Sequence, residues 1–305
     1  MRASFSNALV NLGKKDPNVL LLTGDHGYAL FDDFRRECPA QYINAGIAEQ
    51  NMIGMAAGLA RSGFRPIVYG LSSFIPIRVL EQIKLDIAHD CLPVIFIGDG
   101  AGFVYSHLGT SHQSTEDVAC SRVIPNLSVY SPADRFELTH CLEMAYKEKS
   151  AVYLRIGKSD IGDIHQSLLS TKPGELIKVL TAKNSKCSFI ATGSMVRTAI
   201  DIANKLHIDI DVWSVPFIKP INHLTVQRIC HNSKKIVVLE EHSKYGGLGS
   251  LVAEISSTHS PVKILQVAVD DCFSKKCGTY EYLLKEHGLD FATAYKSIHS
   301  FLLDL

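Results

Sequence analysis

Glu49 is the only charged residue between Asn44 and Ala60, in a run of small, apolar and amide side chains. Moving a carboxylate into apolar surroundings costs free energy unless the group is paired or protonated, so an acid in such a run is a candidate for chemistry. The alternative is a glutamate in the first turn of a helix that only complements the helix dipole. The choice between a chemical role and a purely structural one depends on the segments around Glu49.

Two glycine-rich segments are candidates for metal or phosphate binding. Gly98, Asp99 and Gly100 follow an apolar run, with Asn126 further on, and oxygen ligands of this kind suit Mg²⁺. A Gly-Asp-Gly…Asn metal signature normally ends in two asparagines and continues directly into a helix, so we expect no metal site here. "YGGLGS", residues 245–250, lacks the P-loop lysine and the G-x-G-x-x-G spacing, and we expect a tight turn before a helix.

The elements that must position these residues follow from the alternation of short β-rich apolar runs with helical patterns. This alternation predicts an α/β fold of two doubly wound domains, each a mostly parallel sheet flanked by helices. In the first domain, residues 1–165, the predicted strands are Val19–Thr23, Arg65–Tyr69, Pro93–Ile97, Ser128–Ser131 and Ala151–Arg155. The predicted helices are Ser4–Lys14, Glu49–Ser62, Arg78–His89 and Arg135–Lys147.

The polar, glycine-punctuated segment after Arg155 is predicted to be a linker, and residues 166–305 to form the second domain. Its predicted strands are Cys187–Ala191, Ile210–Val215, Lys235–Leu239 and Val262–Val267, with helices after the first strand, at Leu224–Cys230 and after "YGGLGS".

The composition excludes several classes of protein. The 31 basic and 31 acidic residues give a formal net charge of zero, which offers no electrostatic footprint for nucleic acid or an anionic membrane. No segment approaches the roughly 18 apolar residues of a membrane span, and the first residues lack a signal-peptide pattern. The eight cysteines contain no C-x-x-C and are expected to be reduced thiols. We therefore expect a cytoplasmic protein without a metal site of its own.

Segments along nearly the whole chain resemble the transketolase family. "GIAEQNMIGMAAGLARSGFRPIV", "SSFIPIRVLEQIKLDIA" and "GTSHQSTEDVACSRVIPNLSVYSPAD" are similar to its pyrimidine-binding domain. "IATGSMVRTAIDIANKL", "SVPFIKPI" and "VVLEEHSKYGGLGSLVAEI" are similar to its C-terminal domain. They occur in the family's order, which is more specific than any single motif. The chain thus resembles the C-terminal subunit of a split transketolase.

The resemblance implies a transferase that moves a two-carbon ketol unit between sugars with thiamine diphosphate. It also implies a partner, an N-terminal transketolase subunit whose diphosphate-binding domain holds Mg²⁺ and the diphosphate. The coenzyme would lie between the two chains, in an α₂β₂ heterotetramer that is active only when assembled. A sugar phosphate or a modified sugar is the expected substrate.

The same resemblance implies roles for single residues. The glutamate that matches Glu49 hydrogen-bonds the coenzyme's aminopyrimidine and so activates its carbon nucleophile; an apolar pocket favours the protonated carboxyl. Phe74 matches the aromatic residue that stacks on this ring, and Ile77 replaces a second aromatic with an aliphatic wall. His112 matches a histidine near the reacting hydroxyls, where it could transfer protons.

Four further residues are candidates for substrate binding. Arg155 matches an arginine that grips a sugar phosphate, although a strand-end salt bridge is an equal alternative. His26 could face the acceptor, and His107 could do so unless it is a solvated loop residue. Asp99 stands where a substrate-binding histidine is usual.

Two departures from the family predict an altered sugar. Leu108 stands where transketolases carry an aspartate that contacts a sugar hydroxyl, and Asp99-Gly100 replaces the usual histidine. Losing polar contacts in a buried site strongly penalises the ordinary substrate.

Three other functions stay open at this point. The β subunit of a 2-oxo acid dehydrogenase shares the two-domain layout and the glutamate, and a 1-deoxyxylulose 5-phosphate synthase-like carboligase shares "GIAEQ" and "SHQ". A non-catalytic partner subunit is the third, and retention of Glu49 and Phe74 is an argument against it.

Overall fold

The computed structural model describes residues 2–158 and 160–303. Ser159, in the predicted linker, and the C-terminal residues 304–305 of the predicted second domain lie outside this part of the chain, as does Met1. Every helix within the described residues is too short or too polar to span a membrane.

The strands, numbered in chain order, form two sheets. They are β1 Val19–Thr23, β2 Tyr42–Asn44, β3 Arg65–Leu71, β4 Ile95–Asp99, β5 Leu127–Tyr130, β6 Ala151–Ile156, β7 Ile177–Leu180, β8 Cys187–Ala191, β9 Ile210–Ser214, β10 Phe217–Lys219, β11 Lys235–Ser243 and β12 Lys263–Val269. The first sheet has seven strands in the order β10-β5-β6-β4-β3-β1-β2, and the second has five in the order β12-β11-β8-β9-β7. Pairing is parallel except at β10 with β5 and at β7 with β9.

The helices lie between these strands. They are α1 Arg2–Lys15, α2 Asp32–Glu37, α3 Glu49–Arg61, α4 Leu80–Gln82, α5 Asp117–Arg122, α6 Arg135–Lys147, α7 Met195–Leu206, α8 His223–Asn232, α9 Leu248–His259, α10 Tyr280–Glu286 and α11 Phe291–Leu302. Short 3₁₀ turns occur at Pro39–Gln41, Ile77–Val79, Ser106–Leu108 and Thr110–His112, and a π-helical segment at Ile83–Ala88 follows α4.

Helices cover both faces of each sheet because successive strand side chains point to opposite faces. Leu20 and Leu22 of β1 pack in one cluster with apolar residues of α3, whereas Val19 and Leu21 pack in another with α1, α2 and α6. Every residue of β1 is buried, as is typical of a parallel strand between two helical layers. The predicted fold class is confirmed.

The predicted helix Arg78–His89 differs most from the structure. This segment passes from a 3₁₀ turn through the three residues of α4 into the π-helical segment Ile83–Ala88. It contains no proline or glycine that would signal the change of hydrogen-bonding pattern. The predicted strands agree with observed strands to within a few residues at each end.

The chain returns to the first sheet after it has begun the second. Strand β10 pairs antiparallel with β5, with Phe217 opposite Tyr130 and Lys219 opposite Val129. The Lys219 ammonium donates to the carbonyl oxygen of Arg122 at 2.9 Å and also to that of Ile124. The predicted division near residue 165 stays a prediction, and a strand from its C-terminal side completes the N-terminal sheet.

Two acidic residues around the start of α6 hold the segment between the sheets. Asp134 accepts hydrogen bonds from the backbone N–H groups of Ile164 and His165. Glu137, fully buried, binds the His165 imidazole at 2.9 Å and accepts from the Ser214 hydroxyl at 2.6 Å. Burial alone would lower the pKa of His165, but the Glu137 carboxylate outweighs it, so the pKa is raised above its usual value.

We predict that His165→Gln destabilises the chain mainly at low pH. Because the folded state raises the pKa of His165, its stabilisation is complete below the unfolded value and is lost as pH rises through the folded pKa. A charge-assisted hydrogen bond of this kind is worth about 1.5 kcal/mol. Urea unfolding at a series of pH values measures the difference. The exposed His231→Gln is the control, and a difference for His165→Gln that is independent of pH would contradict the prediction.

Candidate active site

The candidate residues gather at one edge of the first sheet. His26 follows β1, Glu49 follows β2, Phe74 follows β3, and Asp99 is the last residue of β4. These strands run parallel, so their carboxyl ends meet at a single edge, where open α/β sheets place their ligand sites. His112 arrives in the loop that follows β4.

Glu49 is the first residue of α3, and its side chain does not cap that helix. Only 4% of the side chain is exposed, and Oε2 accepts a hydrogen bond from Nη1 of Arg78 at 3.0 Å. Oε1 is buried without a hydrogen-bond partner among the described residues. The carboxyl therefore has one oxygen available for a ligand, and an ion pair interrupts the expected apolar surroundings.

Phe74 joins the other candidates to Glu49 through Arg78. The guanidinium carbon of Arg78 lies 4.0 Å from the centroid of the Phe74 ring. The imidazoles of His112 and His26 approach the same ring edge-on, at 5.3 and 6.5 Å between centroids. Four predicted site residues thus form one cluster, and Arg78 is a fifth member that the sequence analysis did not single out.

The cluster has the chemistry that a flat, polar ring requires. It contains an aromatic ring and two buried polar atoms that have no hydrogen-bond partner among the described residues, Glu49 Oε1 and His26 Nδ1. The half-buried Ile77 lies in the turn that carries Arg78, as an aliphatic neighbour. The residue types of Glu49 and Phe74 suit the edge and the plane of the aminopyrimidine of thiamine diphosphate, although Arg78 covers the Phe74 ring here.

Two predicted substrate residues lie differently. Asp99 is buried, and its Oδ2 accepts from the hydroxyls of Tyr69 at 2.7 Å and Tyr105 at 2.9 Å, so this carboxylate fixes two neighbouring rings. His107 is exposed and has no hydrogen bond or ring contact with another described residue. Its placement favours the alternative of a solvated loop histidine.

Arg155 lies in a buried ion pair. Its Nε donates to Asp117 Oδ2 at 2.7 Å, and Nη2 donates to the carbonyl oxygen of Glu241 at 2.7 Å. Only 4% of its side chain is exposed. Although burial opposes the charge, the Asp117 carboxylate raises the pKa of the guanidinium. These contacts favour the salt bridge over the phosphate contact that the resemblance implied, and they join the first sheet to β11.

The Gly-Asp-Gly…Asn pattern does not form a metal site. Asp99 ends β4 at the carboxyl edge of the sheet, whereas Asn126 precedes β5 at the opposite edge and donates to the carbonyl oxygen of Ala88 at 3.1 Å. Within residues 2–158 and 160–303, no group of three or more His, Cys, Asp or Glu side chains could hold a metal ion.

In the glycine-rich turn before α9, a carboxylate of this chain binds the N–H groups at the helix N-terminus. The buried Glu240 carboxylate, in β11, accepts from the backbone N–H groups of Leu248 and Gly249 at 2.7 Å each. An added Cβ at Gly247 would lie 2.2 Å from Oε2 of Glu240. The helix N-terminus is thus satisfied within the chain, in agreement with the predicted turn.

Large apolar side chains are exposed in the loops that carry the site residues. Tyr28, near His26, is 74% exposed, and Ile47, just before Glu49, is 76% exposed. Leu108, between His107 and His112, is 46% exposed. All three side chains belong to loops that follow strands of the first sheet at its carboxyl edge, where the candidate site residues lie.

The family is decided by comparison with known proteins. Residues 1–163 match the family described as "Transketolase, pyrimidine binding domain", and residues 177–293 match "Transketolase, C-terminal domain". The chain belongs to the transketolase family. This confirms the resemblance found in the sequence.

Two relatives and one solved structure match over most of their length. A subunit of the apulose-4-phosphate transketolase of Phocaeicola vulgatus is 30% identical, over 95% of this chain and 93% of that protein. A subunit of the 6-deoxy-6-sulfo-D-fructose transketolase of a Clostridium species is 30% identical, over 98% of this chain and 93% of that protein. The solved structure is a split gene transketolase, described as an inactive β4 tetramer. It is 30% identical with a TM-score of 0.87, over 98% of this chain and 96% of that chain.

Two functional neighbours that no sequence pattern indicates contact Arg155 from distant parts of the chain. Asp117 and Glu241 are separated from Arg155 by many residues along the chain, and no local pattern announces them. Arg78 is only four residues from Phe74, but its place over the ring depends on the 3₁₀ turn Ile77–Val79, which the predicted helix Arg78–His89 did not include.

We predict that Asp117→Ala lowers the free energy of unfolding by about 3–5 kcal/mol, because it leaves the Arg155 charge buried without its partner. Asp90→Ala is the matched control: it breaks an exposed pair with Arg61 and is expected to cost at most about 1 kcal/mol. Urea unfolding of both variants measures the two losses. Equal, small losses would show that the buried pair does not stabilise the fold.

Proposed function

We propose that this chain is the C-terminal subunit of a thiamine diphosphate-dependent transketolase that transfers a two-carbon ketol unit between sugars. The observation that carries the proposal is the buried Glu49 carboxyl, joined through Arg78 to the Phe74 ring, with one oxygen that has no partner among the described residues. A carboxyl and an aromatic face in one cluster suit recognition of an aminopyrimidine by its edge and its plane. Membership of the transketolase family supports the same assignment.

Glu49 would hydrogen-bond the ring nitrogen of the aminopyrimidine, and Phe74 and Ile77 would pack against the ring. The bound coenzyme supplies a carbon nucleophile and an electron sink for cleavage of a carbon–carbon bond. His112 and His26, both in contact with Phe74, are the residues proposed to exchange protons with the sugar hydroxyls and to face the acceptor. Arg155 would act indirectly, by fixing Ser114 and Asp117 in the segment that follows His112 in the chain.

A second chain is proposed to complete the site. The exposed side chains of Tyr28, Ile47 and Leu108 belong to the loops that carry His26, Glu49 and His112, and they offer apolar surface to a partner. The relatives named above are subunits, and one solved relative is described as an inactive β4 tetramer. We infer an N-terminal transketolase subunit that carries the diphosphate and Mg²⁺, in a cytoplasmic α₂β₂ assembly.

We predict that Glu49→Gln lowers turnover of the reconstituted pair by about 100-fold or more, because the amide cannot exchange a proton with the aminopyrimidine. The measurement is ketol transfer under saturating thiamine diphosphate and Mg²⁺. Glu81→Gln, an exposed glutamate just beyond Arg78, is the control and should retain full turnover. Unchanged turnover of Glu49→Gln would mean that this chain is a non-catalytic partner.

We further propose that the sugar is altered from that of ordinary transketolases. Leu108 is apolar where the family has an aspartate, and the Asp99 carboxylate is bound by two tyrosines. The relatives are named for apulose 4-phosphate and 6-deoxy-6-sulfo-D-fructose, so subunits of this type differ in the sugar that they take.

We predict that xylulose 5-phosphate with ribose 5-phosphate is a poor pair of substrates, with kcat/KM below the roughly 10⁴ M⁻¹s⁻¹ at the low end of typical enzymes. The reconstituted pair is assayed beside a single-chain transketolase as a positive control, and deoxy and sulfonated ketoses are then tested as donors. Turnover equal to that of the control enzyme would refute an altered specificity.

The same preparation separates the other candidate functions. Oxidation of pyruvate with an artificial electron acceptor would assign the β subunit of a 2-oxo acid dehydrogenase. Carboligation of pyruvate without an electron acceptor would assign a 1-deoxyxylulose 5-phosphate synthase-like enzyme.

A further inference from the structure

Arg78 makes contacts with the two residues that the proposed function assigns to the aminopyrimidine. Its guanidinium carbon lies 4.0 Å above the Phe74 ring, and Nη1 donates to Glu49 Oε2 at 3.0 Å. The backbone N–H of Arg78 bonds to the carbonyl oxygen of Phe74 at 3.1 Å, so the side chain folds back over the preceding turn.

A guanidinium and an aminopyrimidine present similar features to these partners. Both are flat π-systems that can stack on an aromatic ring while a nitrogen at the edge hydrogen-bonds a carboxyl group. The guanidinium donates to the carboxylate, whereas the ring nitrogen of the neutral aminopyrimidine accepts from the protonated carboxyl. A group 4.0 Å from the ring centroid is in contact with that face and leaves no space for a second ring there. Arg78 and the coenzyme therefore compete for Phe74 and Glu49.

We propose that Arg78 is an internal substitute for the aminopyrimidine, which occupies its position in the free subunit and must move away when the coenzyme binds. This inference rests on the proposed function, because it takes Glu49 and Phe74 as the aminopyrimidine site.

The arrangement has a physical reason in the free subunit. Glu49 is nearly inaccessible to water, and a buried carboxylate without a cation is strongly destabilising. Arg78 supplies the cation, while 47% of its own side chain stays exposed. Among the described residues, its guanidinium hydrogen-bonds only Glu49 and stacks only on Phe74, so turning into solvent breaks these two interactions and no wider hydrogen-bond network.

The consequence is a lowered affinity of the free chain for the ring. Only the fraction of molecules with Arg78 displaced can bind, and the apparent dissociation constant rises in inverse proportion to that fraction. Removing the side chain should abolish this effect.

The test uses the full chain without a partner and the neutral probe 4-amino-5-hydroxymethyl-2-methylpyrimidine, titrated by ligand-observed NMR. We expect Arg78→Ala to bind the probe about tenfold more tightly than wild type. Arg61→Ala, which removes another half-exposed arginine, is the control for net charge and should equal wild type. Arg78→Lys keeps the charge but loses the planar group, and it should also bind more tightly than wild type.

A second measurement follows stability in urea, which avoids adding free guanidinium ions. Arg78→Ala should be less stable than wild type, and the loss should be much smaller in the Glu49→Gln background, where no carboxylate needs the cation. If Arg78→Ala binds the probe no more tightly than wild type, or does not bind it, the proposal that Arg78 takes the place of the aminopyrimidine is wrong.

The failure of this inference differs from a failure of the proposed function. Equal probe binding by wild type and Arg78→Ala, with loss of binding in Glu49→Gln, would reject the role of Arg78 and retain the aminopyrimidine site. Probe binding that is insensitive to Glu49→Gln, together with unchanged turnover of that variant in the reconstituted pair, would reject the site itself.

Discussion

Parallel pairing of β2, β1, β3 and β4 is the constraint on which the site depends. A parallel register puts every carboxyl end at the same edge, so loops that are far apart in sequence converge there. The site residues can therefore be far apart in sequence, since each follows a different strand: His26, Glu49, Phe74 and His112. The backbone hydrogen bonds of the sheet thus do the positioning, and the side chains supply the chemistry.

The second sheet holds the loop that completes this edge. Glu241 of β11 accepts from the backbone N–H of Phe103 at 2.6 Å, and its other oxygen binds the hydroxyls of Ser194 and Tyr280. Burial raises the pKa of Glu241, although these donors oppose the shift. Gly102, at a φ of +66°, lies so close that an added Cβ would be 2.2 Å from this carboxylate. The C-terminal part of the chain therefore fixes the segment that leads to His112.

Much of this fold could be predicted because its signals are local. A run such as Val19–Thr23 is apolar on both faces, and "GIAEQ" places Glu49 at the start of a helix. Arg155 shows the limit: its sequence neighbourhood permits a phosphate contact or a salt bridge, and the choice depends on Asp117 and Glu241, which only the folded chain brings near. The position of Arg78 over Phe74 likewise depends on the 3₁₀ turn at Ile77–Val79, which no residue type signals.

Strand β10 has a consequence for how the molecule can be divided. Its three residues cover the outer side of β5, where Phe217 and Lys219 face Tyr130 and Val129. A fragment ending at residue 165 would leave β5 as an edge strand, whose unpaired backbone N–H and C=O groups could pair with a strand of another molecule. The pyrimidine-binding half is thus protected from self-association by a segment encoded about fifty residues beyond its apparent end, and fragments meant to isolate it should retain Lys219.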